Sequence, residues 1–81
     1  MRNSMNPAQC RAARALVNWT QPRLADAAGV SPSTLRDFES GKRTPIGNNL
    51  TAIRGALESA GVIFLESGHV AAGPGVSIKK D

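Results

Sequence analysis

With 81 residues the chain holds one small domain, and a domain of this size buries only about 60% of the surface its unfolded chain exposes. Ten Lys and Arg against six Asp and Glu give a net charge of +4 and a pI near 10.3, a balance suited to a polyanionic partner. A single cysteine, Cys10, excludes an internal disulfide. One cysteine with one histidine cannot build a zinc site, and no apolar run approaches the roughly 20 residues that span a bilayer.

Residues 1–5 read as a disordered lead-in, without the apolar segment of a secretion signal, so a cytoplasmic location is expected. Asn6 is a good N-cap and Pro7 a good first helical residue, which predicts a helix to about Val17. Cys10, Ala13 and Val17 fall at i, i+3, i+7 with Leu16 beside them, a core-facing stripe that makes Cys10 an inert core thiol. Asn18 and Trp19 form a short connection, with Trp19 as a lid over the helix junction. Thr20 caps a second helix whose Leu24, Ala25 and Ala28 make an apolar stripe. Gly29 supplies the positive φ of a helix end, and Val30 plugs the turn into the core. Ser31 caps a third helix opened by Pro32, and Leu35 and Phe38 bury it on its predecessor. Its outer face keeps Ser33, Arg36, Asp37 and Ser40. Two short helices joined by a tight turn, the second with a polar face, make a helix-turn-helix suited to reading base edges in a major groove.

The stretch from Gly41 to Pro45 reads as a loop, and a fourth helix is expected from about Asn48 to Ala60 on Leu50, Ile53 and Leu57, ended by Gly61. The tail changes character. Val62 to Leu65 is a short apolar, β-prone run, Val76 to Ile78 alternates with period two, and a Gly/Ala/Pro-rich connection from Glu66 to Gly75 separates them. These predict a C-terminal β-hairpin. Along one strand Ile63 and Leu65 cannot share a face with Val62 and Phe64, so the second face needs another cover. A second subunit would supply it, which makes Ile63, Leu65, Val76 and Ile78 candidate dimer-interface residues. The expected organisation is therefore a lead-in at 1–5, a helix-turn-helix domain at 6–61, and a hairpin at 62–81 as a dimerisation element.

Laid out in this way, the chain resembles the Cro and phage-repressor (XRE) family of helix-turn-helix regulators over about residues 7 to 60. The matching residues are Arg11 to Gln21, Leu24, Ala25, Gly29 to Ser31, Thr34, Leu35, Phe38, Glu39, Gly41 and Pro45, and the tail segment Gly73 to Val76 is similar to that of many short members. The resemblance implies a mostly α, four-helix repressor-like domain with the short C-terminal hairpin. It implies Ser33, Arg36 and Asp37 at base-facing positions, Gln21 as a phosphate anchor, Lys42 and Arg43 in a backbone-gripping loop, and Arg14 with Glu39 as a structural ion pair. Two departures stand out. Pro22 lies in the first turn of the second helix, and Ile46-Gly47 follows Pro45 where a Ser, Thr or Asp cap is usual. The start of the fourth helix therefore stays open, as does the choice between Asn48 and Asn49 as its phosphate contact.

On this face Arg36 suits a bidentate contact to guanine O6 and N7. Asp37 can accept from cytosine N4 or repel wrong registers from phosphate. Arg23 reads as a surface charge, and His69 as a solvent residue. The implied function is a sequence-specific regulator of transcription that binds an inverted-repeat operator in double-stranded DNA as a homodimer, with RNA polymerase or a partner protein as further candidate partners. An antitoxin whose tail from Val62 to Lys79 neutralises another protein is the alternative. An enzyme is disfavoured, because neither Cys10 nor His69 has a catalytic partner in sequence; no metal, cofactor or membrane contact is expected.

Overall fold

The computed structural model describes residues 5–65 and 75–78. The expected connection at 66–74, with His69, and the last residues 79–81 lie outside them. Four helices precede two strands: α1 (Pro7–Val17), α2 (Gln21–Ala28), α3 (Pro32–Glu39), α4 (Gly47–Ser59), β1 (Val62–Leu65) and β2 (Gly75–Ile78). The fold is the mostly α, four-helix arrangement with a C-terminal antiparallel hairpin that the sequence pattern predicts.

Local chemistry sets the helix boundaries. Asn6 Oδ1 accepts from Gln9 N at 2.7 Å and Gln9 Oε1 accepts from Asn6 N at 2.9 Å, a reciprocal capping box at the start of α1. Thr20 Oγ1 accepts from Arg23 N at 3.2 Å, and Ser31 Oγ from Thr34 N at 3.1 Å. Each of these three helices has a proline in its first turn. Pro22, a departure from the family pattern, therefore fits the α2 start without distortion. At the C-terminal ends, Asn18 (φ 61°), Gly29 (φ 71°) and Gly41 (φ 80°) turn the chain through the left-handed region. The α4 start is different. It begins at Gly47, one residue before the expected Asn48, and its N-cap Ile46 gives no side-chain hydrogen bond.

The core gathers one stripe from each element: Cys10 and Ala13, Leu24 and Ala25, Leu35 and Phe38, Leu50, Ile53 and Leu57, and Val62 and Phe64. Val17, Trp19, Ala28 and Val30 pack against it. Two expectations about α1 are corrected. Met5 is not lead-in but core, 4% exposed. It precedes the N-cap by one residue and Cys10 sits at the fourth helical position, the two positions of a hydrophobic staple. Leu16 lies 43% exposed rather than in the core stripe, because Val17 and Ala13 already define the buried side of α1.

In the hairpin, Val62 pairs with Ile78, Ile63 with Ser77, Phe64 with Val76, and Leu65 with Gly75. Val62 and Phe64 are buried, Leu65 is half-buried, and Ile63 is 45% exposed, the split that a four-residue apolar strand requires. Cross-strand partners share a face, so Val76 lies with Phe64 on the core side and packs there. Val76 is therefore half-buried against the domain's own core and does not lie on the outer face carried by Ile63.

Gln9 fixes this hairpin to α1. Its Nε2 donates to Leu65 O at 3.0 Å and to Gly75 O at 2.9 Å, bridging paired residues of the two strands, while its Oε1 completes the capping box. The side-chain amide thus uses both donors and its acceptor inside the protein. Gln9→Ala leaves two strand carbonyls and one helix-start amide without that partner, at a cost of about 2 kcal/mol. Hydrogen exchange is expected to quicken first at the strand amides; unchanged protection there would show that the core alone holds the hairpin.

Candidate nucleic-acid interface

The helix pair α2–α3 is fastened by a carboxylate. Glu39, at the last position of α3, is 2% exposed and accepts four hydrogen bonds from side chains on α1 and α2. Arg14 provides two, Nε to Oε2 at 2.7 Å and Nη2 to Oε1 at 2.8 Å, a bidentate pair. Gln21 Nε2 donates to Oε1 at 2.8 Å and Cys10 Sγ to Oε2 at 3.2 Å. Arg14 Nη1 also donates to Trp19 O at 3.0 Å, so one guanidinium ties the α1–α2 connection to the end of α3. Among the described residues no buried side-chain nitrogen or oxygen is without a partner.

Burial pushes the Glu39 carboxyl up, but donors from Arg14, Gln21 and Cys10, with the Arg14 charge, outweigh it and hold the group below its usual range. Burial first, then the neighbouring carboxylate, pushes the Cys10 thiol far above its ordinary value, which keeps it protonated and unreactive. The sign of the pH dependence follows. A carboxyl whose folded value lies below its unfolded value of about 4.5 stabilises the fold fully above that pH and loses the contribution as pH falls through the folded value. Urea unfolding is therefore expected to show a steeper acid decline in the wild type than in Glu39→Gln, by at most the equivalent of one proton. Parallel acid limbs would mean that other carboxylates govern the decline.

With its inner side fastened, α3 presents the opposite side to solvent. Ser33 and Arg36 are exposed and Asp37 is half-buried, at i, i+3 and i+4. At the helix start the Ser31 hydroxyl lies 3.2 Å from that of Ser33 and 2.7 Å from that of Thr34, a small group of mutually bonded hydroxyls. Arg36 has no ion-pair partner among the described residues, which leaves its fork free for an external acceptor.

The loop that follows folds back onto α3. Lys42 N donates to Asp37 O at 2.9 Å, Arg43 N to the same oxygen at 3.3 Å, and Gly41 N to Phe38 O at 3.0 Å. This holds the exposed Lys42 and Arg43 beside the C-terminal end of the helix. Asn48 is exposed and Asn49 half-buried in the first turn of α4, so Asn48 has the freer side chain. Gln21 is placed differently from a free phosphate anchor. Its Nε2 points inward to Glu39, because the buried carboxylate needs more donors than Arg14 provides.

Several contributors escaped the sequence reading. Gln9 could have been found from the Asn6-x-x-Gln9 capping-box spacing. Arg23 is more than a surface charge: its guanidinium stacks over the Trp19 ring, 5.0 Å from the centroid. Arg54 similarly lies 4.9 Å from the Phe64 ring centroid and pairs with Glu58 at 3.0 Å. The described residues hold no group of three or more His, Cys, Asp or Glu able to bind a metal, and no helix among them is long and apolar enough to cross a membrane.

Two helices locked at their inner side, a tight glycine turn, and a polar second helix flanked by a basic loop define a helix-turn-helix domain. A family model for the helix-turn-helix matches residues 11–59, from the second turn of α1 to the end of α4. The chain belongs to the Cro/repressor-type (XRE) helix-turn-helix family and is a DNA-binding transcription regulator. No curated protein matches it significantly.

Proposed function

We propose that this regulator reads a specific duplex sequence with the solvent face of α3 and binds an inverted repeat as a homodimer. The observation that carries the reading is the free Arg36 fork on the exposed side of a helix whose inner side is held by the Glu39 cluster. Ser33, Arg36 and Asp37 read base edges, while Lys42, Arg43 and Asn48 grip the backbone. Two-fold pairing would seat two such helices in successive major grooves, roughly 10 bp apart. Pairing through the outer hairpin face would cover Ile63, which is otherwise 45% exposed.

Sedimentation of the protein with duplexes carrying one or two half-sites tests this. The expected outcome is two chains on the two-site duplex, with cooperativity that weakens in Ile63→Lys. One chain per site with independent affinities would exclude the homodimer. Co-purification of a second, unrelated protein on the tail would instead favour an antitoxin.

A further inference from the structure

The C-terminal end of a helix is a poor place to receive phosphate, because its last carbonyls and its dipole are negative there. The basic loop at the end of α3 sits at just such an end. The protein has covered the carbonyls one by one. Ser40 N donates to Arg36 O, Gly41 N to Phe38 O, and both Lys42 N and Arg43 N to Asp37 O. Ser40 Oγ adds a further bond to Asp37 O at 3.1 Å. The last carbonyl, that of Glu39, accepts from a residue distant in sequence, Arg11 Nη1 on α1.

Arg11 is otherwise exposed and has no carboxylate partner among the described residues. Its guanidinium has five N–H donors, of which the Glu39 carbonyl takes one. The neighbouring Glu39 carboxylate is already saturated by Arg14, Gln21 and Cys10, so it does not compete for the remainder. The bond to Glu39 O therefore fixes a cation beside the segment carrying Lys42 and Arg43, with donors left over. Resting on the DNA-binding reading above, we propose that Arg11 is a phosphate-contacting residue that extends the Lys42/Arg43 grip onto α1. Arg11 has two tasks there. It neutralises the last α3 carbonyl, and it donates to a backbone phosphate oxygen.

Salt titrations of binding to a duplex of unrelated sequence test this without knowledge of the operator. Arg11→Gln removes the charge while keeping a polar side chain of similar stem. The expected slope of log affinity against log salt is shallower by about 0.9, so the affinity lost relative to the wild type is roughly eight-fold greater at 0.1 M salt than at 1 M. Arg11→Lys, which keeps the charge, is expected to keep the wild-type slope. An unchanged slope in folded Arg11→Gln overturns the proposal. If Arg11→Gln fails to fold, the wild type decides: the Arg11 Nε–Hε resonance shifts on adding duplex while that of Arg54, paired with Glu58, stays, and an unmoved Arg11 overturns the proposal. Lys42→Ala is the internal control. A slope lowered by Lys42→Ala but not by Arg11→Gln removes Arg11 from the interface and leaves the DNA reading intact. A wild type that binds no duplex removes both.

Discussion

Arg14→Ala is expected to destabilise the fold by about 3–5 kcal/mol, the usual cost of stranding one member of a buried ion pair. The asymmetry of the pair decides which partner matters more. Glu39 is 2% exposed whereas Arg14 is 20% exposed, so a stranded guanidinium still reaches water and a stranded carboxylate does not. Gln21 and Cys10 would remain as donors to Glu39, but neither is charged. Glu39→Ala should therefore cost less than Arg14→Ala, nearer 3 kcal/mol. For a domain whose whole stability is on the order of 4–12 kcal/mol, either loss is large. Thermal unfolding in the two single variants and in Arg14→Ala/Glu39→Ala measures this. The double variant should recover much of the loss, because no charge is left behind. Additive losses would show that the two residues act separately.

Arg36→Ala should remove about 1–3 kcal/mol of binding to the preferred duplex and flatten the preference at one base pair. Arg36 is exposed and unpaired, so the same change should leave folding nearly untouched. Lys42→Ala should weaken preferred and unrelated duplexes alike and make the salt dependence shallower. Competition binding against single-base variants of the site separates the two. Equal weakening of every sequence by Arg36→Ala would make it a phosphate contact rather than a base contact.

The limits and caps of α1, α2 and α3 were legible because their causes are local, whereas α4 starts without a side-chain cap. Asn6, Thr20 and Ser31 each bond an amide three residues on, and Gly29 needs its left-handed turn whatever surrounds it. The ion pair of Arg14 and Glu39 was legible only through the family resemblance, since 25 residues separate its members. The remaining members of that cluster were not. An apolar stripe shows that Cys10 is buried, but not that its thiol donates to a carboxylate. Gln21 has the same side chain whether it faces phosphate or Glu39, and only the folded position of that carboxylate shows that its amide donates there. Gln9 bonds strand residues 56 and 66 positions away, beyond any local pattern. Periodicity gave the two faces of β1 correctly, but placing Val76 required the register with Phe64. The polar face of α3 was visible as a list of residue types. That Arg36 has no ion-pair partner among the described residues was not, and it is this that leaves its fork open to an external acceptor.

The most direct test of that reading is methylation interference at guanine N7 on a duplex selected by the protein from a random pool. N7 lies in the major groove, where α3 would enter. The expected result is interference at two inverted half-sites about one helical turn apart, with the signal at one guanine of each half lost in Arg36→Ala. Binding indifferent to N7 methylation, or a selection that yields no common sequence, would contradict a base-reading role for α3.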